Sequence, residues 1–390
     1  MIAFDEAIRR LTEAARPLGR ESVPLRAAVG RVLAAPVAAM VDSPPANSSA
    51  MDGYAVRDAD LPGRLRLIGE SFAGHGFDER LEPGTCVRIF TGAPVPGGTD
   101  RVVVQEVAVR EGDCVTIAEL PGRARYIRPR GSDFRAGDML LEEGRRLDSR
   151  ALVAAAAADV AEVETWRPPA VLVLATGEEL VPPGEARGRP GAIPDSLSAG
   201  VSALAETWGG RILGSRLLAD DLAGLERAAG EAIEQADLVV VTGGASVGEK
   251  DYAQPMFARH GLDLIFSKVA MKPGKPVWLG RAGTTLVLGL PGNPTSAMVT
   301  ARLLLAPLVA GLAARAEALA WRPLPLAAPL PACGDRETFH RARLTDAGAV
   351  PLANQDSGAQ KALAQADLLL RSRPHDPPRQ AGEEIDALDF

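Results

Sequence analysis

The chain has 390 residues, 46% of them apolar and 24% charged, with a formal net charge of −7 and a pI near 5.4. Such a length is too great for one compact core and points to two to four domains of ordinary globular composition. The acidic balance argues against general binding to nucleic acid or anionic membrane, and three scattered cysteines and four scattered histidines form no CxxC pair and no zinc signature.

No uncharged apolar run of about 18 residues is present, because the Leu303–Ala314 region contains Pro307 and is flanked by Arg302 and Arg315. Met1-Ile2-Ala3-Phe4-Asp5-Glu6 lacks the basic and apolar regions of a signal peptide. A cytoplasmic setting is therefore expected, and the glycosylation sequon Asn47-Ser48-Ser49 is expected to be silent.

Residues 5–16 read as a short amphipathic helix capped by Asp5, with Phe4, Ile8 and Leu11 on one face. Residues 24–41 carry mixed apolar segments. Pro44-Pro45-Ala46-Asn47-Ser48-Ser49-Ala50-Met51-Asp52-Gly53-Tyr54-Ala55-Val56 then reads as a loop entering a strand, with Asp52 either a turn residue or a functional carboxylate. Residues 61–135 are β-rich, with short runs such as Val87–Phe90, Val102–Val107 and Val115–Ile117. Within them, Thr91-Gly92-Ala93-Pro94-Val95-Pro96 offers a hydroxyl and amides at a strand exit, and Arg128-Pro129-Arg130-Gly131-Ser132-Asp133 places a carboxylate after a basic turn. By themselves both loops read equally well as surface punctuation.

An alanine-rich helix is predicted over 148–163, opened by Asp148 or Ser149, with Arg167-Pro168-Pro169 as a linker. From Ala170 strands alternate with helices, the sign of a parallel α/β sheet. Val171–Ala175 is a strand that exits at Thr176-Gly177-Glu178-Glu179. Ile193-Pro194-Asp195-Ser196 precedes a helix to Trp208, closed by Gly209-Gly210. Arg211–Leu217 is a strand and Asp221–Gln235 a helix.

The densest signal spans residues 238–296. Leu238-Val239-Val240-Val241-Thr242 is a buried-strand run that breaks into Gly243-Gly244-Ala245-Ser246-Val247-Gly248, and Thr285–Leu290 ends in Pro291-Gly292-Asn293-Pro294. Glycines at such exits let amides approach a ligand and form an anion-binding concavity. Asn293 suits an N-cap and Pro294 the first helical position of an apolar helix over Thr295–Ala310. The positive end of that helix favours an anion by roughly 0.3–1 kcal/mol. The chain has five lysines against 38 arginines, and four of the five (Lys250, Lys268, Lys272, Lys275) fall between 250 and 275. In a chain that otherwise chooses Arg, this cluster reads as point charges placed for oxyanions. After Arg315, Pro323, Pro325, Pro329 and Pro331 mark a boundary, strand-like pieces follow over 338–371, and Arg373–Pro378 leads into an acidic tail.

In this order, Pro44–Val56, Thr91–Pro96, Arg128–Asp133, Thr176–Leu180, Thr242–Tyr252, Lys272–Pro276 and Pro291–Pro294 resemble the molybdopterin molybdenumtransferases, the family related to the E domain of gephyrin. The resemblance runs from residue 1 to about 371, and seven motifs in sequence are highly specific where each alone is weak. It implies a multidomain α/β plus β fold. An elongated N-terminal domain would comprise 1–38 and 138–167, with residues 1–15 packing on the α/β domain, and a β-rich domain 39–137. A MogA-like α/β molybdopterin-binding domain would span 168–316, and a small β-barrel-like domain 317–390.

The activity implied is insertion of molybdate into the dithiolene of adenylylated molybdopterin, with Mg²⁺-dependent release of AMP. A homodimer is implied, with its active site at the subunit interface, and with the upstream molybdopterin adenylyltransferase as a further partner. Pyrophosphate, phosphate and molybdate are all oxyanions, which suits Gly-rich amides and lysines. Two bare carboxylates about 4 Å apart repel by roughly 4 kcal/mol at an effective dielectric of 20, so clustered acids imply a cation such as Mg²⁺.

Carried over by position, Asp52, Thr91, Asp133, Glu179, Asp251, Lys268 and Lys272 would line the reaction centre, with Asp251 and Glu179 as the metal's carboxylates. Lys268, Lys272, Lys275, Pro276, Ser296 and Arg341 would meet molybdate and phosphate. Gly243, Gly244, Ser246 and Gly248, with Pro291, Gly292, Asn293 and Pro294, would cradle the pterin phosphate, and Asp195 and Ser196 form a pterin- or nucleotide-side pair.

Three departures stand out. Leu197 follows Ser196 where the family usually has Asn. Ala359-Gln360-Lys361-Ala362 replaces a Ser-Ser pair, leaving Lys361 either a substitute charge or a solvated lysine. His340-Arg341-Ala342-Arg343 leaves open which arginine faces inward. Two other functions share these features: molybdopterin adenylyltransferase, for which residues 1–165 with Asp52 and Asp133 would be superfluous, and a non-catalytic molybdopterin carrier or scaffold, for which the intact acids would be.

Overall fold

The computed structural model of the protein describes residues 1–243, 252–315 and 318–390. These form two compact units, one of Met1–Glu21, Gly30–Val32 and Thr165–Phe390, the other of Ser22–Val29 and Leu33–Glu164.

The first unit is built on a six-stranded sheet of β1 (Ala170–Thr176), β2 (Arg211–Leu218), β3 (Leu238–Thr242), β4 (Asp263–Ser267), β5 (Trp278–Ala282) and β6 (Thr285–Leu290), in the order β2-β1-β3-β6-β5-β4. The first four in that order are parallel, β5 pairs antiparallel with β6, and β4, antiparallel to β5, returns to the direction of the first four. Every residue of β1, β3 and β6 is buried, as continuous apolar runs in a sheet covered on both faces require. The edge strand β2 alternates between exposed and partly buried positions.

Helix α1 (Leu197–Thr207) packs Val201 and Ala205 against Val171, Val173 and Val240, while α2 (Leu222–Gln235) packs Leu225, Ala229 and Ala232 against the alternate residues Leu172, Leu174 and Val239. The period-2 alternation of the strands thus sends the two helices to opposite faces. The chain leaves β1 for β2 on one side and returns to β3 on the other, so the strand order reverses between β1 and β3, where open α/β sheets bind ligands beyond their carboxyl ends.

Helix α3 (Pro294–Leu312) is long and apolar enough for a membrane span, yet 83% of that apolar window is buried in this core. Pro307 cannot donate a helical hydrogen bond, and the backbone widens into a π turn over Ala301–Leu305 just before it. Buried Arg302 lies over the Trp208 ring and donates to Asp389 O and Ala318 O, both at 2.8 Å.

The C-terminal sheet runs Met271–Lys272, Glu337–Thr345, Leu368–Ser372, Glu384–Asp389, Arg322–Pro325, with Gly348–Pro351 paired to Glu337–Thr345. Its first strand comes from the lysine segment of the α/β domain, paired in parallel with Glu337 and Thr338. The acidic tail is therefore an ordered strand, with Ile385 and Ala387 buried. The N-terminal helix spans Phe4–Ala14 and buries Phe4, Ala7 and Leu11 in the α/β core. Its N-cap is Ala3, so Asp5 does not cap it. Asp5 lies in the first turn and accepts a 2.6 Å bond from Arg371 Nη2.

The second unit holds a six-stranded sheet in the order Arg101–Val104, Gly53–Val56, Thr85–Ile89, Gly63–Ser71, Cys114–Ile117, Val109–Glu111. Tyr54, Val56 and Cys86 face one core and Ala55, Val87 and Ile89 another. The alanine-rich helix covers only Ser149–Ala157, capped by Asp148, whose carboxylate accepts from Ala151 N at 2.9 Å. It stops early because Asp159 takes φ +61 and Glu162–Trp166 is a strand that buries Val163 and Thr165.

Candidate active site

Three strand exits meet at the reversal in strand order. Ala175 pairs with Thr242, and Thr242 with Leu290, so Thr176-Gly177, Gly243 and Pro291-Gly292 emerge side by side. Gly243 has φ +90, and a Cβ there would lie 2.4 Å from Thr176 O and 2.9 Å from Thr176 Oγ1. Only glycine fits this backbone. These exits floor a cleft of about 840 Å³ within the first unit.

One wall follows β1. Glu179 lines the cleft, and its carbonyl accepts from Ile193 N at 2.7 Å, which brings the Ile193–Ser196 segment over the strand ends. Buried Asp195 accepts from Leu197 N and Ser198 N, both at 3.1 Å, so Asp195 rather than Ser196 caps α1. Leu197 lines the cleft and also packs into the core.

The opposite wall carries the lysines. Lys268 N donates to Val277 O at 2.9 Å and Val269 N to Lys275 O at 3.0 Å, which fixes Lys268 and Lys275 on facing segments beside Pro276, all lining the cleft. Lys268 has φ +59, a left-handed conformation that side-chain-bearing residues seldom adopt and that tends to persist at functional positions.

The remaining residues close the cleft from β6 and the C-terminal sheet. Asn293 stands at the N-cap of α3 but makes no side-chain cap bond; its Nδ2 donates to Ser357 Oγ at 3.1 Å, and Thr295 N donates to Ser357 O at 3.1 Å. Arg341 is 1% exposed and does not line the cleft. Its guanidinium donates to Gln355 Oε1, Asp356 O and Asn354 O at 3.1–3.3 Å, so it braces the loop that carries Ser357. Its neighbour Arg343 points outward. Lys272 and Ser296 also lie off the cleft lining, Lys272 exposed on the strand beside Thr338 and Ser296 buried in α3.

Sequence reasoning missed Asp220, at the end of β2, and Gln360, both of which line the cleft. It pointed at Lys361, which lies exposed outside the lining on the next helical position. The replaced Ser-Ser pair marked the right segment, and only the helix geometry of Gln360–Leu363 selects the residue. Gly244, Ser246, Gly248, Lys250 and Asp251 lie outside the described residues.

In the second unit, residues 43–49 form a spine that joins the other two predicted loops. Ser49 N donates to Ala93 O at 2.9 Å and Gly92 N to Ser49 O at 2.8 Å on one side. Gly131 N donates to Pro44 O at 2.9 Å and Asp133 N to Ser43 O at 3.0 Å on the other. Asp52 Oδ1 accepts from Thr91 N at 2.7 Å and Thr91 Oγ1 at 2.8 Å. These two bonds, helped by the Arg88 charge, hold the exposed Asp52 carboxyl below the usual carboxylate range. Asp133 is exposed at the head of its loop.

Among the described residues, no three His, Cys, Asp or Glu side chains form a metal cage. Glu179 and Asp220 nevertheless line the same cleft, and Mg²⁺ ordinarily binds through one or two carboxylates with waters and substrate phosphates, so this donor set fits an ion shared with a ligand.

Family models match the chain over three successive regions: the MoeA N-terminal region (domains I and II) at residues 2–158, a probable molybdopterin-binding domain at 172–311, and the MoeA C-terminal region (domain IV) at 323–390. The chain is 40% identical over 316 residues to a molybdopterin molybdenumtransferase of Haemophilus influenzae, covering 80% of this chain and 78% of that protein. It is 33% identical over 380 residues to one of Synechococcus elongatus, covering 94% of each. Two crystal structures of a molybdopterin biosynthesis MoeA protein from Pyrococcus horikoshii match all of this chain and 99% and 100% of theirs, with TM-scores of 0.83 at 28% and 25% identity. With these three models in succession along the chain and relatives 33–40% identical over most of its length, the chain belongs to the molybdopterin molybdenumtransferase family.

Proposed function

We propose that the protein inserts molybdate into adenylylated molybdopterin, releasing AMP and yielding molybdenum-loaded molybdopterin. The observation that carries this reading is the cleft itself, whose lining combines the Gly243 and Gly292 backbone and the start of α3 with Lys268 and Lys275. Backbone amides and a helix N-terminus bind phosphate groups without sequence-specific chemistry. Lysine adds compact charges that attract a tetrahedral oxyanion, and their pull is stronger in a cleft than in open solvent. A volume of about 840 Å³ falls in the range of small-molecule sites and has room for more than a bare oxyanion.

Glu179 and Asp220 would hold Mg²⁺ together with the ligand's phosphates, and the ion would supply charge neutralisation at the phosphoanhydride. Asp195 orders the start of α1 and presents the adjoining wall to the pterin or nucleotide side of the ligand. Asp251 is proposed, from the family resemblance, to assist cleavage of the adenylate. On the same ground the protein is proposed to act as a homodimer, which sedimentation at working concentration would distinguish from a monomer.

The test is AMP release from adenylylated molybdopterin with and without molybdate and Mg²⁺. Release that requires both is expected, and Asp251→Asn should abolish it while leaving ligand affinity within about twofold. Tight binding without release by the unaltered protein would favour a carrier instead. Release that persists in Asp251→Asn would remove that residue from the reaction.

A further inference from the structure

Gln360 is supplied by the C-terminal sheet domain rather than by the α/β sheet, and it is part of the cleft lining. Its Nε2 donates to Ser196 Oγ at 3.3 Å, a bond between residues 164 apart in the chain. Ser196 stands beside Asp195, and Asp195 Oδ1 is committed to the start of α1. Around the same wall lie the apolar Leu180 and Ile193 together with Glu179, and Asp220 lines the cleft just beyond β2. No cation of the lysine segment belongs to this wall by topology. Lys268 and Lys275 flank the β4 and β5 end of the sheet, and Asp195 and Ser196 follow β1, with β3 and β6 between them. At about 4.8 Å per strand, β1 and β5 are on the order of 14 Å apart.

The cleft is therefore polarised along the sheet. One end presents cations to an oxyanion. The other presents the carboxylates of Glu179 and Asp220, a carboxylate-capped helix start, a serine hydroxyl, apolar contacts and an uncharged amide, none of which is a cation that would hold a bare oxyanion. A primary amide carries both donors and an acceptor in one plane, which matches the hydrogen-bonding edge of a heterocycle and has no net charge with which to hold an oxyanion. Gln360 is held ready for this task. Arg341 grips the carbonyls of Asn354 and Asp356, Ser357 is tied to Asn293 and Thr295, and Gln360 N donates to Gly358 O at 2.9 Å.

Resting on the proposed function, we infer that Gln360 is a ligand-binding residue that reads the uncharged heterocyclic edge of the substrate opposite Ser196, and that it does not contact the oxyanion.

The experiment compares the wild-type full-length chain with Gln360→Ala, Gln360→Glu and, as a neighbour outside the cleft, Lys361→Ala. Calorimetric titration with molybdopterin and, separately, with inorganic molybdate gives the affinities, and thermal melting checks the fold. Loss of one hydrogen-bonding group is expected to weaken molybdopterin binding about three- to tenfold in Gln360→Ala, with molybdate affinity unchanged and the melting temperature within about two degrees. Gln360→Glu keeps an acceptor and loses the donors, so it should weaken molybdopterin binding at least as much. Lys361→Ala should change neither affinity. Unchanged molybdopterin binding in both Gln360 variants overturns the inference, as does a loss confined to molybdate, and both leave the proposed function standing. Failure of the wild-type chain to bind either probe overturns the inference together with the function it rests on.

Discussion

Gly243 is the residue on which the cleft floor depends most directly. Its backbone is left-handed and its missing side chain makes room for Thr176, so Gly243→Ala adds both conformational strain and a 2.4 Å overlap with a carbonyl oxygen. A loss of about 1–3 kcal/mol in urea unfolding is expected, with weaker phosphate-ligand binding even at temperatures where the variant is folded.

His340 makes a different kind of prediction. It sits on the strand Glu337–Thr345, its Nε2 is buried without a hydrogen-bond partner among the described residues, and burial together with the charges of Lys272 and Arg341 lowers its pKa to about 4. The unfolded imidazole protonates near pH 6.5, so the unfolded chain binds more protons between about pH 4 and 6.5. Stability from this residue is complete above that window and declines as pH falls through it. Urea midpoints measured from pH 7 to pH 4 should fall less steeply in His340→Leu than in the unaltered protein.

At the level of elements, the parallel strands and their helices behave as local chemistry demands. Asp221 stands at the N-cap of α2 and accepts from Gly224 N at 2.9 Å. Asp221→Ala should cost about 1 kcal/mol, and Asp221→Asn only a few tenths, in equilibrium unfolding. Asn293 shows where this logic gives way. It occupies an N-cap position ahead of Pro294, yet its side chain turns to Ser357 because the C-terminal loop offers a competing acceptor. The helix predicted over 148–163 ends at Ala157 for a related reason. Alanine favours helix through residue 158, but the burial of Val163 and Thr165 rewards a strand beyond it.

At the scale of the whole chain, one core joins three parts of the first unit. Phe4 from the N-terminal helix packs edge-on against Phe339 of the C-terminal sheet with ring centroids 4.8 Å apart, and both belong to the cluster around the α/β sheet. Arg371 lies against the rings of Phe4 and Trp321 and pairs with Asp5 and Glu337. Phe4→Ala removes a side chain that is 1% exposed and should cost about 3–5 kcal/mol. In calorimetry the loss should lower the transition of the α/β and C-terminal sheets together. A shift confined to a small early transition would mean that the N-terminal helix melts by itself.

The sequence by itself determined the elements and the chemistry they carry. Continuous apolar runs ending in Gly-rich exits specify buried parallel strands with open amides, and the five-lysine count isolates the oxyanion chemistry, because both signals are local in the chain. Seven ordered motifs likewise sufficed to suggest the family. What only the tertiary structure decided is which side chains face the cleft. Arg341 and Arg343 are two residues apart on one strand, and so share a face by simple alternation, yet one is buried and the other exposed because only Arg341 meets the 354–356 loop. Lys361 and Gln360 are adjacent, and the turn of a four-residue helix sends the uncharged one to Ser196. Asp220 and Gln360 come together with Asp195 from three separate stretches of chain. Such meetings are set by strand order and loop packing between residues far apart in sequence, and no local pattern encodes them.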